Sequence, residues 1–291
     1  MNTPRQRLLL RRRFARAAAT YGRHDALARA VADHLFGRLD FHPDPPQLVL
    51  DVGAGQGRDS AALKKRWPRA QVIAFDVALP MLRGARRSLP WRQPFARVCA
   101  DACALPLPDH VADVLYANLC FAWVDDLPAL FAECARVLRP GGLLAFSTFG
   151  PDTLRELRTA WAQVDEDAHV GRFLDLHDVG DAMLAAGLRD PVLDVDRYTL
   201  TFAKAADVFA ELRGMGIANL DPGRARGLTG RRRFDRMLAA YDALREDGRL
   251  PLGFEIVTAH AFGPPPGQPR RGAGGGEIAS FSVDRLRGSR R

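Results

Sequence analysis

A glycine-rich turn is the clearest chemical signal in this sequence of 291 residues. Residues 51–57 read DVGAGQG and place Gly53, Gly55 and Gly57 at alternate positions. Glycines tolerate positive φ angles and allow a ligand to approach the backbone closely. Free N–H groups at the start of a following helix can donate to ligand oxygens, and the carboxylate of Asp51 can pair with a cationic amino group. The turn therefore predicts a site for a ligand that combines an amino acid with a ribose.

Two other interpretations of this turn compete with that one. A dinucleotide-binding turn has a third glycine three positions after the second, and Arg58 occupies that position here. The missing glycine disfavours a nicotinamide enzyme. A tight turn with a purely structural role remains an alternative.

Further polar positions follow the next three predicted strands. Asp76 ends the second strand, where a carboxylate can accept both hydroxyl hydrogens of a ribose. Asp101 and Ala102 follow the third strand, where the carboxylate can accept from an adenine amino group and the amide can serve the ring. Asn118 follows the fourth strand and would face the reacting end of the ligand. The structural alternatives are a helix cap at Asp76 and turn residues at Asp101 and Asn118.

Alternating strands and helices must position these residues. Predicted strands cover 48–50, 72–75, 95–100, 112–119 and 143–148, and predicted helices cover 58–67, 79–88 and 127–138. This rhythm predicts an α/β fold with a doubly wound, mostly parallel sheet. Ligands of such sheets bind at the carboxyl ends of the strands, where all the polar positions above fall.

The remaining parts of the chain suggest a simple domain organisation. Residues 1–46 read as an N-terminal helical arm, helical over 5–39, and residues 47–262 as the main domain, with a helical insertion around 151–186 and 204–248. Residues 263–291 are rich in Pro, Gly and Arg and are predicted to be disordered. Residues 1–24 contain no acid, which fits either a mitochondrial transit peptide or a basic helix of the mature protein.

Composition narrows the class of protein. The net charge is +8 and arises almost entirely from arginine, which fits an acidic partner, nucleic acid or anionic lipid. No basic segment interleaved with aromatic residues is present, which disfavours nucleic acid. No apolar run approaches the ~20 residues of a membrane span. The four cysteines lack zinc-ligand spacing, so we expect no metal and reduced thiols in a cytoplasmic protein.

The motifs, in their order, resemble those of class I S-adenosylmethionine-dependent methyltransferases. They are the glycine turn at 51–57, VIAFD at 72–76, ADA at 100–102 and VLRPGG at 137–142. The resemblance implies that S-adenosylmethionine is the cofactor. Tyr21 of the N-terminal arm is a candidate to close its pocket, and a buried structural tyrosine is the alternative. The implied cofactor-binding residues are Asp51, Gly53, Gly55, Gly57, Asp76, Asp101, Ala102, Asn118 and Tyr21.

A narrower resemblance runs from about residue 13 to residue 262. RFARAAATY at 13–21, FGPDTLREL at 149–157, FLDLHDVGD at 173–181 and GLTGRR at 227–232 resemble the malonyl-acyl-carrier-protein O-methyltransferases of biotin synthesis. A sister family of mitochondrial complex I assembly factors shares some of these segments but usually departs from the glycine turn, which is intact here. Ala54 stands where many such methyltransferases have Cys.

This resemblance implies that the substrate is a malonyl thioester on acyl carrier protein, methylated on its free carboxylate. That carboxylate is ionised at pH 7, so we expect alignment alone and no catalytic acid or base. Arg155, Arg158 and Arg172, with Thr153, are the candidates for binding it. The alternatives are solvated arginines and, for Thr153 with Glu156, a helix-capping box.

The acidic carrier protein is the expected partner, with neither nucleic acid nor membrane, and we expect a monomer. A basic rim would steer the carrier to the site, built from Arg224, Arg226, Arg231, Arg232 and Arg233. A methyltransferase with another acceptor, or a protein that keeps the fold without methyl transfer, remains an alternative.

Overall fold

The computed structural model describes residues 4–85, 94–221, 223–224, 227, 229–265, 270–271 and 277–278. The strands are β1 Leu48–Val52, β2 Gln71–Asp76, β3 Ala96–Cys99, β4 Ala112–Ala117, β5 Leu138–Phe149, β6 Arg189–Phe202, β7 Leu250–Phe262, β8 Arg270–Arg271 and β9 Glu277–Ile278. The first seven form one sheet in the order β3-β2-β1-β4-β5-β7-β6. β1 to β5 pair in parallel, and β7 is antiparallel to β5 and β6. The predicted doubly wound, mostly parallel sheet is confirmed.

Nine helices connect the strands of the described chain. They are α1 Pro4–Ala17, α2 Ala26–Gly37, α3 Arg58–Arg66, α4 Leu79–Gly84, α5 Leu127–Val137, α6 Arg155–Ala162, α7 Leu176–Ala185, α8 Ala205–Gly214 and α9 Arg231–Asp242. Short 3-10 helices stand at Tyr21–Arg23, Arg38–Phe41 and Phe121–Trp123. No helix of the described residues combines the length and the apolar character that crossing a membrane requires.

Helices cover both faces of the sheet and pack against the apolar side chains of its strands. Every residue of β4 is buried, as expected for a central parallel strand whose two faces are both covered. On one face Leu115 packs in a cluster with Phe131 of α5, and on the other Tyr116 packs with Leu35 of α2. The buried centre of the sheet thus fixes the carboxyl ends of its strands at one edge.

The long antiparallel pair of β6 and β7 supports the second half of the chain. Leu252 and Phe254 of β7 pack in one cluster with Leu157 of α6 and Met237 of α9. The helices α6 and α9 therefore rest on this pair, whereas Met183 of α7 packs in the cluster that contains Phe131 of α5. Four helices fall in the ranges predicted as an insertion, although the division into domains stays a prediction.

The structure corrects several predicted boundaries. The predicted helix at 5–39 is interrupted by the 3-10 turn at Tyr21–Arg23, because the chain bends there between α1 and α2. The end of the predicted helix at 79–88 and most of the predicted disordered tail lie outside the described residues. Within that tail, β8 and β9 pair with each other, so these four residues have regular structure.

Candidate active site

The glycine turn joins β1 to α3 in a closely packed conformation with positive φ angles. Gly53, Gly55 and Gly57 have φ angles of +77°, +53° and +71°. The N–H of Gly53 donates to the carbonyl of Phe75 at 2.8 Å, which ties the turn to β2. A Cβ on Gly53 would lie 2.3 Å from the Cβ of Cys120. Glycine is therefore required here both by backbone conformation and by space.

Asp76, at the end of β2, faces the cavity above the turn. Its carboxylate accepts hydrogen bonds from the N–H groups of Gly55 at 2.9 Å and Ala78 at 2.7 Å. Burial raises the pKa of Asp76 to about 6, while these two hydrogen bonds oppose the rise. A carboxylate has about four acceptor positions, so two are left for a ligand. The position suits the predicted acceptor for a pair of ribose hydroxyls.

Asp101 and Ala102 line the same cavity beyond β3. Asp101 accepts a hydrogen bond from the N–H of Cys103 at 3.0 Å, and Arg7 of α1 lies 3.4 Å from its other oxygen. Asp101 thus forms the turn that was the structural alternative and also presents a carboxylate to the cavity. The apolar side chain of Met81 lines a neighbouring part of the wall, which suits a flat aromatic ring.

The structure places Asp51 behind the turn, away from the cavity. Its side chain is 2% exposed and accepts a hydrogen bond from Ser60 Oγ at 2.5 Å. Burial and the nearby carboxylate of Asp59 raise the pKa of Asp51. The prediction that Asp51 meets the ligand directly is therefore corrected, because its hydrogen bond holds the start of α3 against β1.

Asn118 lines the cavity just after β4, as predicted, and its amide group makes hydrogen bonds within the protein. It donates to the carbonyl of Ala28 at 2.8 Å and to Asp59 at 3.0 Å, and it accepts from Ser147 Oγ at 2.8 Å. These bonds join α2, α3 and β5 around Asn118. Its main effect is to fix the shape of the cavity.

The N-terminal arm covers this opening, which we call the strand-end cavity. Arg7, Leu10 and Phe14 of α1 line it together with Tyr21. The Tyr21 ring lies 3.8 Å from where a Cβ on Gly55 would stand, and burial raises the pKa of the Tyr21 hydroxyl above its ordinary value. Tyr21 therefore lies where the predicted pocket-closing residue should be.

A second, larger cavity of about 1080 Å³ adjoins the first, and we call it the aromatic chamber. The two share Leu10, Trp123, Val124 and Phe149 as a common wall. Trp123 stands in edge-to-face contact with the rings of Phe14, Phe149 and Phe173, at centroid distances of 5.7, 6.1 and 6.4 Å. Such contacts stabilise aromatic clusters, so the ring of Trp123 is held in place beside both cavities.

Of the three predicted arginines, only Arg172 lines the chamber. Its side chain is 92% exposed, and its Nε lies 3.8 Å from a carboxylate oxygen of Asp221. Arg155 is exposed on α6. Arg158 donates to the carbonyls of Pro151 and Thr153, which makes it part of the support for the loop before α6.

The structure contradicts both roles predicted for Thr153, which were contact with the substrate and, together with Glu156, a helix-capping box. The Thr153 hydroxyl is fully buried, donates to the carbonyl of Glu255 at 2.9 Å and accepts from its N–H at 3.1 Å. Glu156 accepts from the N–H of Gly253 at 2.9 Å. Both side chains attach α6 to β7, so Thr153 has no free group for a substrate.

The structure brings only part of the predicted basic rim to the cavities. Arg224 lines the aromatic chamber, whereas Arg226 lies outside the described residues. Arg231 and Arg232 are exposed on α9. Arg233 pairs with Asp165 and Asp167, which neutralise it.

Sequence reasoning missed the residues of α1 that line the cavities. Gln6, Leu9 and Leu10 have the i, i+3, i+4 spacing of one helix face, which was the available signal. The sequence around Trp123 has no comparable pattern that would mark this residue as part of a cavity wall.

Comparisons with known proteins bear on the whole chain. A family model described as a methyltransferase domain matches residues 50–146. The malonyl-acyl-carrier-protein O-methyltransferase of Xylella fastidiosa is 44% identical over 95% of this chain and 94% of its own length. That of Laribacter hongkongensis is 46% identical over 90% of this chain and 91% of its own. A putative methyltransferase structure from Bacillus halodurans, 17% identical, covers 79% of this chain and 99% of its own with a TM-score of 0.57, which shows the fold alone.

Proposed function

Because the chain belongs to the malonyl-acyl-carrier-protein O-methyltransferase family, we propose that it methylates the free carboxylate of a malonyl thioester on acyl carrier protein. S-adenosylmethionine is the methyl donor and binds in the strand-end cavity. The aromatic chamber admits the malonyl thioester. The observation that carries the proposal is that the two cavities share Trp123 and Phe149, because a donor in one cavity then lies next to an acceptor in the other.

The residues of the strand-end cavity fit this donor. The glycine turn leaves room for its amino acid part, and Asp76 offers two unused acceptor positions to the ribose hydroxyls. Asp101 accepts from the adenine amino group, and Met81 packs beside the ring. The carboxylates of Asp76 and Asp101 also favour a ligand that carries positive charge.

S-adenosylmethionine supplies a methyl group activated by a sulfonium cation. The protein needs no general base, because a malonyl carboxylate is ionised at neutral pH. Trp123 and Phe149 line both cavities and would exclude water from the point where a bound donor and acceptor meet. Alignment of a bound donor and acceptor lowers a barrier by as much as ~7–11 kcal/mol in favourable cases.

Arg172 at the chamber supplies the positive charge that selects an anionic acceptor. Methylation turns the carboxylate into a neutral ester and removes this attraction. The product is therefore held less strongly than the substrate, which favours its release.

The test is methyl transfer from labelled S-adenosylmethionine to malonyl-acyl carrier protein, with acetyl-acyl carrier protein as the control. We expect label on the malonyl carrier only, removable by an esterase. Donor binding without any labelled malonyl carrier would refute this substrate and favour another acceptor or a protein that keeps only the fold.

We further propose that the enzyme acts as a monomer in the cytoplasm. Both cavities are built from one chain, and all four cysteines are free thiols, as in a reducing compartment. Sedimentation of the purified protein during turnover measures its oligomeric state, and a dimer would contradict this part of the proposal.

A further inference from the structure

One face of α1 continues from the aromatic chamber to a group of arginines. Gln6, Leu9 and Leu10 line the chamber, and Arg13 follows Leu9 and Leu10 at helical spacings of four and three. Residues at these spacings share a helix face. Arg13 therefore stands where this wall of the chamber continues toward the C-terminal end of α1.

Arg224 lines the chamber from a different part of the chain, and its charge acts on Arg13. Burial lowers the pKa of Arg13, and the charges of Arg224 and Arg16 lower it further. Arg13 and Arg224 are both half-buried, while Arg16 is exposed. Three guanidinium groups from two segments thus repel one another beside the chamber.

The ion pairs in the part of the chain that the structure describes do not include this cluster. None of them involves Arg13, Arg16 or Arg224, whereas the neighbouring Arg172 has Asp221 at 3.8 Å. The other acid of the chamber is Asp125. A cluster of like charges lowers its energy by binding an anion, and the planar guanidinium fork fits phosphate oxygens closely.

We propose that Arg13, Arg16 and Arg224 form a binding site for the phosphodiester of the pantetheine arm that carries the malonyl thioester. The inference rests on the proposed function. It adds that the protein recognises the arm itself, in addition to the malonyl group and the surface of the carrier. The arm enters the aromatic chamber with its thioester end toward Trp123 and leaves its phosphate at the arginine cluster.

The test compares two small substrates that differ in the phosphate. Malonyl-phosphopantetheine contains it, whereas the malonyl thioester of N-acetylcysteamine has the same reacting end without it. We expect Arg13→Gln and Arg224→Gln each to raise the KM for malonyl-phosphopantetheine about tenfold or more, since hydrogen bonds to charged groups contribute that much. The KM for the N-acetylcysteamine thioester stays as in the wild type.

Arg12→Gln is the matched control, because Arg12 is an exposed arginine of the same helix. It removes the same charge from α1 and leaves both KM values within about twofold. Circular dichroism and donor affinity establish that each variant is folded.

Two outcomes overturn the proposal. An equal rise in KM for both small substrates would mean that the arginines shape the chamber and bind no phosphate. A rise seen only with the full carrier protein would assign them to the carrier's acidic surface. If the wild type methylates neither the two small thioesters nor the malonyl carrier protein, the proposed function itself fails. That result differs from both outcomes above, so a failure of the proposed function is distinguished from a failure of the phosphate site.

Discussion

Replacing Gly53 by alanine tests whether the glycine turn is required by space or by backbone conformation alone. The positive φ of +77° costs an alanine about 1–2 kcal/mol. The new Cβ would also lie 2.3 Å from Cys120 Cβ and 2.4 Å from its Sγ. Forcing a methyl group into such a contact costs about 1–3 kcal/mol more. We expect Gly53→Ala to lower the free energy of unfolding by about 2–5 kcal/mol.

Gly141 provides the matched control. Its φ is +73°, and a Cβ there would meet nothing within 4 Å, so Gly141→Ala isolates the conformational cost of about 1–2 kcal/mol. Cys120→Gly removes both atoms that the alanine would meet. In that background, Gly53→Ala should therefore cost about the same as Gly141→Ala.

Urea denaturation of the four single and double variants measures the interaction between positions 53 and 120 as a double-mutant cycle. We expect a coupling of about 1–3 kcal/mol. Equal losses for Gly53→Ala and Gly141→Ala, with no coupling to Cys120, would refute the role assigned to the close contact.

Three further predictions concern the site. Donor affinity measured by calorimetry should fall as the pH drops through about 6, because protonation of Asp76 removes its charge and an acceptor, and Asp76→Asn should bind weakly with a flat pH profile. Thr153→Val should lower the free energy of unfolding by about 1–3 kcal/mol, since it strands polar groups of Glu255, yet leave the KM for malonyl thioester unchanged. Arg172→Gln should raise that KM, whereas the control Arg155→Gln should not; equal effects of the two would contradict the placement of the acceptor.

The order of strand ends was predictable because each motif directly follows an apolar strand. Asp76, Asp101 and Asn118 all line one cavity, since the carboxyl ends of neighbouring parallel strands must meet at one edge. Asp51 has the same sequence signal, yet it points behind the turn to Ser60. Which face a side chain takes at the end of a strand depends on packing that a motif does not encode.

Local patterns failed where a distant strand competed for the same groups. Thr153 and Glu156 have the spacing of a capping box, but β7 lies close enough to take both side chains. Likewise, residues 139–142, which separate the predicted helix at 127–138 from the predicted strand at 143–148, lie within β5, because Leu138 already pairs with Ala112 before a shift in register. Both departures come from contacts far apart in sequence.

Leu10 of α1 belongs to the wall of both cavities, and this shared helix links their occupancies. A ligand that fixes α1 over one cavity changes the free energy of filling the other. Thermodynamic reciprocity then requires the acceptor to alter donor affinity by the same factor as the donor alters acceptor affinity. The first helix of the chain is thus the element through which the two substrates of one reaction would influence each other before any bond changes.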